Sequence, residues 1–426
     1  MSYADLDRTQ LEELRRALER EYADHCAKGL SLNMARGKPS AAQLELSLPM
    51  LDAVNAASEL IAQDGTDCRN YGVMDGIAEA KALMGEVMGH EPATVCVFGN
   101  SSLNIMFDLV TQGVTHGYLG AAPWKDLDGV KWLCPVPGYD RHFAITESYG
   151  IEMIPVALGE DGPDMDEVER LVADDPSIKG IWCVPQYSNP SGIVYSDETV
   201  RRLASMTCAA DDFRIFWDNA YCVHHLYEER AAHVADIARA CEEAGNPDRY
   251  FAFASTSKVT FPGAGIAAVA ASAANIAEIK ARVGIQTVGY DKLNQLRHVR
   301  FLHDAQGVAE HMEKHAALLR PKFELVDRML EDGLADTGCA AWSKPDGGYF
   351  VSFDGMPGTA KRTVALAKEA GVTMTGAGAT WPHKNDPNDS NIRIAPTLPP
   401  LEELEQAMEI FVCCVKLASV EVLLAA

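Results

Sequence analysis

Several features are missing from this sequence, and each absence closes off a class of protein. Its eleven cysteines are scattered without a CxxC pair, and the adjacent Cys413 and Cys414 sit in the apolar run IFVCCVKLA. Such usage predicts reduced, structural thiols in a cytoplasmic protein. No window approaches the ~18 unbroken apolar residues of a membrane helix. The start, MSYADLDRTQLEELRRALEREY, mixes charged and apolar residues at helical spacing and lacks the basic-then-apolar order of a secretory signal. Positive charge is scarce: 37 Lys and Arg face 61 Asp and Glu, for a formal charge of −24. A phosphate backbone needs a clustered positive surface, so nucleic acid is not an expected partner. An anionic substrate would need local positive charge acting at short range. There is no repeat, low-complexity tract or long linker.

What is present is a change of pattern along the 426 residues. From about residue 94 to 272, short apolar runs (TVCVF, KWLCPV, IEMIPVAL, KGIWCVP, RIFWDN, YFAFAS, GIAAVAAS) alternate with helical stretches. That alternation predicts an α/β domain with a mainly parallel sheet. Beyond about residue 315 come a long helix, a strand-rich stretch around GGYFVSFDG and a last helix, LEELEQAMEIFVCCVKLA. The expected division is an N-terminal segment 1–50 packing with the small domain or a partner subunit, a large domain 51–315 and a small α+β domain 316–426.

Six segments carry candidate chemistry. In YFAFASTSKVTFPGAG, Lys258 follows an apolar strand among small and apolar neighbours. Poor solvation there would lower its pKa toward the neutral, nucleophilic amine. Ser255 and Ser257 beside it could bind a phosphate. In RIFWDNAYCVHH, Asp218 ends a strand and Tyr221 follows; if both strands run the same way, Asp218 and Lys258 meet in the crevice at the carboxyl ends of the sheet. The bland alternative is an Asp capping a helix beside a packing Tyr. Asn189, before Pro190 at another strand end, can donate amide hydrogens into the same crevice or simply mark a turn. Gly99-Asn100-Ser101 opens a helix after VCVF, where free N–H groups and the dipole make an anion cup. It is neither a Walker loop nor the GxGxxG fingerprint. Tyr139 and His142 follow the next strand, where an aromatic could cover a planar ring. Arg393 in NIRIAPT lies between apolar residues, a costly place for a guanidinium unless a carboxylate meets it, either a ligand's or an Asp of the preceding HKNDPNDSN loop. The aspartate spacing of that loop does not match the EF-hand pattern, and no metal is expected.

In this order, Tyr71 with Gly72, Gly99-Asn100-Ser101, Tyr139, Asn189, Asp218 with Tyr221, Ser255-x-Ser257-Lys258 and Arg393 resemble the fold type I, class I aminotransferases, enzymes dependent on pyridoxal 5'-phosphate (PLP). The resemblance spans nearly the whole chain. The phrases ARGKPS, RNYGVMDG, SNPSG, FASTSKVTFPGAG, DKLNQLRHVRFL and PDGGYF look closest to a bacterial aspartate aminotransferase subgroup related to the aminotransferase-like domain of MocR-type regulators. The resemblance implies a seven-stranded, mainly parallel sheet and a homodimer with its sites at the subunit interface.

It also implies roles. Lys258 would carry the cofactor as a Schiff base and move the substrate's proton. Asp218 would keep the pyridine nitrogen protonated, with His142 behind it, while Tyr221 and Asn189 bond the ring's phenolate oxygen and Tyr139 stacks on the ring. Gly99, Asn100, Ser101, Ser255 and Ser257 would cradle the phosphate, which Tyr71 reaches from the other subunit. Arg393 would clamp the substrate's α-carboxylate, and Gly37 would let backbone approach it. The implied reaction is ping-pong transamination, aspartate with 2-oxoglutarate first, with aromatic, alanine or broad specificity as the alternative. A non-catalytic PLP-binding sensor of MocR type is the reading from another class; it needs a basic DNA-binding module, for which the roughly 70 residues before Tyr71 leave no room. Two departures stand out. The position that many relatives give to a phosphate-binding Arg is here Ile266, and the cation for a substrate's distal carboxylate is undecided among Arg36, Arg141 and Arg297.

Overall fold

The computed structural model describes residues 2–426. Thirteen strands are present among them: β1 (Leu32–Met34), β2 (Val95–Val97), β3 (Lys131–Val136), β4 (Glu152–Gly159), β5 (Gly162–Pro163), β6 (Ile178–Cys183), β7 (Arg214–Asp218), β8 (Tyr250–Ser255), β9 (Ala267–Ala271), β10 (Ala340–Trp342), β11 (Val351–Gly355), β12 (Val372–Met374) and β13 (Asn391–Ile394). One sheet has the order β2-β9-β8-β7-β6-β3-β4-β5. Its centre, β8-β7-β6-β3-β4, is parallel, whereas β9 runs antiparallel to both neighbours. The seven expected strands are all here, and the architecture is α/β, consistent with fold type I. The eighth, β5, pairs with β4 through two residues, too short to leave a sequence pattern.

Alternation along the strands builds two cores. Ile215 and Trp217 of β7 join an apolar cluster on one face with Ile181 and Leu133, while Phe216 joins Trp132, Trp182, Phe251 and Phe253 on the other. Side chains two apart share a face, so Asp218 continues the Phe216 row. The sheet is therefore buried on both faces, and polar groups reach a cleft only at strand ends.

A third core gathers β1, β11, β12 and β13 with the helices Arg8–Ala27, Ala305–Leu334, Ala360–Glu369 and Leu401–Ala425. Helix Arg8–Ala27 lays Leu11 and Leu18 into this cluster, and the thiol of Cys413 contacts the Leu18 carbonyl. Helix Ala305–Leu334 is longer than its apolar pattern suggests. Its first turns, with Val308 and Met312, pack beside Val259 and Leu302, and its later turns enter the third core. The same helix thus touches the turn after Lys258 and the layer that carries Arg393. No described helix is long and apolar enough to cross a membrane.

Candidate active site

Strands β7 and β8 are parallel neighbours, with Asp218 opposite Phe253. Asp218 closes β7, and Lys258 lies in the short 3-10 turn Thr256–Lys258 that follows β8. The Ser255 hydroxyl accepts from the Ser257 N–H at 3.4 Å and so forms the start of that turn. Parallel pairing brings both functional groups to the same sheet end, the place where an open α/β sheet binds ligands.

Asp218 is buried, and its Oδ2 meets Nε2 of His142 at 2.9 Å. His142 is held in turn by stacking on Trp182, with centroids 4.5 Å apart. Oδ1 of Asp218 is also buried but has no hydrogen-bond partner among the described residues. A carboxylate oxygen in that state calls for a donor from a ligand, because burial without one is costly. The Lys258 amine lies 4.9 Å from the centroid of the Tyr221 ring and 5.7 Å from that of Tyr349. Burial lowers its pKa; Asp218 pulls the other way and Arg393 adds to the lowering. The Tyr221 phenol is raised well above its ordinary value by burial, reinforced by Tyr139 and Asp218. Tyr139 is pushed up to about 12, again by burial first. Both phenols are hydrogen-bond donors at neutral pH.

Gly99, Asn100 and Ser101 precede helix Ser102–His116, and Ser101 makes no side-chain cap. The Ser257 hydroxyl donates to the Asn100 carbonyl at 3.0 Å, and Ser255 and Ser257 share a bond of 3.1 Å. These bonds bring the Ser255–Ser257 turn against the segment that opens the helix, where the free N–H groups of the first turn suit a phosphate. Ile266 is buried in an apolar cluster, so no cation stands there. Arg297 bonds Asn294, whose amide holds the Gly265 carbonyl at 2.8 Å, and its Nε is buried without a partner among the described residues.

A cleft of about 550 Å³ opens beside Lys258 and is bordered by Gly37, Tyr139, Asn189, Tyr221, Phe350 and Arg393. Arg36 and Arg141 also line it, as do Lys38 and Lys384, two cations that the sequence patterns did not single out. None of the four has an ion-pair partner among the described residues. Arg393 projects from β13, with Nη1 2.9 Å from Asp140 Oδ1 and 3.2 Å from Asn189 Oδ1, and Nη2 3.4 Å from Thr375 Oγ1. The loop aspartates considered as its partner are engaged otherwise: Asp386 accepts from the N–H groups of Asn388, Ser390 and Asn391, and Asp389 accepts from the N–H of Lys361. Phe350 lies under the guanidinium at 4.8 Å. A Cβ on Gly37 would stand 2.5 Å from the Phe350 ring, which gives that glycine a packing reason. Tyr71 is 83% exposed and does not line the cleft of its own chain.

Sequence reasoning missed Asp140, Thr375, Phe350 and a buried polar chain behind Lys258. In that chain the Gln43 amide meets Tyr349 at 2.9 Å and His315 at 3.1 Å, and His315 meets His311 at 3.2 Å. The adjacency of Asp140 to Tyr139 and the place of Phe350 in PDGGYF were signals; Thr375 and the polar chain come from sequence-distant segments.

Comparison with known proteins places this geometry. The model of the aspartate amino-transferase family matches residues 6–426. The chain belongs to the aspartate aminotransferase family. It is an aminotransferase, 46% identical to the aspartate aminotransferase of Corynebacterium glutamicum over 99% of this chain and 97% of that one. A Mycolicibacterium smegmatis chain provisionally named as an aminotransferase is 49% identical over 100% of this chain and 99% of its own length. The crystal structure of a C. glutamicum aspartate transaminase superposes with a TM-score of 0.97 at 46% identity, covering 99% of both chains. The α-aminoadipate aminotransferase of Thermus thermophilus shares the fold, with a TM-score of 0.74 at 21% identity over 96% of this chain and 95% of its own.

Proposed function

We propose that this aminotransferase uses PLP to exchange an amino group between L-aspartate and 2-oxoglutarate, by a ping-pong route in a homodimer. One observation carries the proposal: an amine of lowered pKa and a guanidinium border a single cleft, and a buried carboxylate oxygen without a donor, that of Asp218, ends the strand beside the one that leads to the amine. The donor set fits the cofactor. Asp218 Oδ1 would accept from a protonated ring nitrogen, with His142 fixing the other oxygen. The hydroxyls of Ser101, Ser255 and Ser257 and the open helix end at Gly99-Asn100 would hold the phosphate, offsetting the missing cation at Ile266.

When bound, PLP supplies an electron-withdrawing ring that makes the substrate's α-proton removable and carries the amino group between half-reactions. Lys258 would be the covalent anchor and, once freed, the base that moves the proton between the substrate's α-carbon and the cofactor's C4′ carbon. Tyr139, which lines the cleft, would cover the ring. The Tyr221 hydroxyl and the Asn189 amide hydrogens, left available because Oδ1 of Asn189 faces Arg393, would bond the ring oxygen. Arg393 takes the α-carboxylate, and Gly37 lines the same wall.

The dicarboxylate preference is supported by the naming of the C. glutamicum relative and by the four unpaired cations around the cleft. Exposure of Tyr71 supports its reaching the phosphate of a second copy. Eleven free cysteines support a reducing, cytoplasmic setting. Kinship with MocR-type domains belongs to the same proposal, with catalysis, not DNA-bound sensing, as the activity of this acidic chain.

Steady-state rates with aspartate, alanine and phenylalanine as donors test the substrate. A rate with aspartate no better than with alanine removes the dicarboxylate assignment. A visible spectrum of the reconstituted protein, recorded before and after L-aspartate, tests the cofactor; a colourless protein removes it. Sequence-specific DNA retention without turnover would favour the sensor.

A further inference from the structure

Arg393 has five N–H donors, and their disposition limits how a carboxylate can reach it. Both hydrogens of Nη1 face acceptors, Asp140 Oδ1 and Asn189 Oδ1, and Nη2 faces Thr375. Nε is buried and without a partner among the described residues. Asp140, which lines the same cleft as Arg393, therefore occupies Nη1 from the side a ligand would enter.

The two partners of this ion pair are unequal. The Arg393 side chain is 6% exposed and that of Asp140 31%. A guanidinium so buried needs an anion at all times. Asp140 does not need its cation: it is the first residue of helix Asp140–Ser148, where the helix dipole favours an acid, and water reaches it. Releasing Asp140 is therefore cheap, whereas leaving Arg393 alone is not. The pair also spans the two layers, since Asp140 follows β3 of the large sheet and Arg393 belongs to β13.

We propose that Asp140 is a built-in stand-in for the substrate's α-carboxylate: it neutralises Arg393 in the empty enzyme and yields its place on Nη1 when substrate enters. The inference rests on Arg393 being the α-carboxylate clamp. Asp140 is then an affinity-setting residue that every substrate must displace. A ligand with one carboxylate competes poorly against a tethered one, while a dicarboxylate gains a second hold on the cations of the cleft rim. Selectivity against small monoanions follows from the same competition.

The test is succinate, a dicarboxylate without an amino group, titrated into PLP-loaded enzyme by calorimetry. For Asp140→Asn the dissociation constant should fall about tenfold, as expected when a competitor worth one charge-assisted hydrogen bond is weakened. The KM for aspartate should fall with it, while kcat changes much less. The empty variant should melt lower than wild type and regain more on adding succinate, because Arg393 then waits unneutralised. Arg393→Lys should weaken succinate binding. If Arg393→Lys weakens it and Asp140→Asn leaves it unchanged or weaker, Asp140 only positions Arg393 and the stand-in idea is overturned. If Arg393→Lys has no effect, the clamp assignment itself falls. Asp140→Ser serves the same comparison should the Asn variant not fold.

Discussion

Asp218 and Lys258 leave the carboxyl ends of adjacent parallel strands, and the Asp218 charge opposes the burial that lowers the pKa of Lys258. The amine that must react with an aldehyde is thus tuned by the carboxylate that would face the ring nitrogen. Replacing Asp218 by Asn removes a contribution that raises this pKa, so the pKa falls further. Replacing Arg393 by Gln removes one that lowers it, so the pKa rises. The rate at which cofactor-free protein captures PLP, followed against pH, should have its midpoint moved down in Asp218→Asn and up in Arg393→Gln. Equal midpoints would show that neither charge reaches the amine.

Removing the amine has a larger effect. Lys258→Ala should lower kcat by about 10²–10⁴-fold or more, the range for a positioned proton-transfer group. Its PLP affinity should fall less steeply than its rate, because the phosphate cup at Gly99–Ser101 is intact. Turnover within tenfold of wild type would transfer the proton role to another residue.

His142 supports Asp218 from behind through a single bond of 2.9 Å at a site closed to water. His142→Leu leaves both carboxylate oxygens without a protein partner. The expected loss is about 1–3 kcal/mol of stability in the cofactor-free state, partly recovered on adding PLP if Oδ1 then finds a donor. Denaturant titration with and without PLP measures this; an equal loss in both states would separate Asp218 from the cofactor.

Arg393 is read from the cost of a guanidinium between apolar residues; the other parts of this site that local patterns announce lie at the end of an apolar strand or at the opening of a helix. Lys258, Asp218, Asn189 and Gly99–Ser101 are announced by such local patterns, and the strand runs from TVCVF to GIAAVAAS place the sheet for the same reason. What was illegible depends on contacts across long sequence distances. Gln43, His315 and Tyr349 meet only because helix Ala305–Leu334 crosses behind the lysine turn. Asp140 and Arg393 pair across 253 positions. Ranking the cations was equally out of reach: Arg297 bonds Asn294 and does not line the cleft, and Lys38 and Lys384 join it through loop geometry.

Gly37 tests how packing is transmitted to the clamp. Its missing side chain leaves room for the Phe350 ring, and that ring supports Arg393 from beneath. With Gly37→Ala the new methyl group would stand 2.5 Å from the ring, a distance no contact tolerates, so Phe350 must move. The aspartate KM should rise several-fold with a smaller change in kcat, since the clamp is displaced while Lys258 and Asp218 stay in place. An unchanged KM would mean that the ring can rotate away without disturbing the guanidinium.

Lys322 offers a test of stability remote from the chemistry. Its amine, buried in helix Ala305–Leu334, donates to the Thr397 carbonyl at 2.7 Å, and burial lowers its pKa to about 8 from an ordinary 10.5. A lysine with a depressed pKa binds fewer protons folded than unfolded between those two values. Stability contributed by this group therefore rises as pH climbs from about 8 toward 10.5 and is flat below. Lys322→Met should remove that rise, giving a smaller gain in stability between neutral and alkaline pH than wild type, as read by denaturant midpoints at matched ionic strength. Because Thr397 also accepts nothing from a methionine, the variant's carbonyl is left unpaired, and that penalty is the same at every pH. Slope and offset thus separate the two effects: a changed slope reports the titration of Lys322, and a uniform offset reports only the lost hydrogen bond.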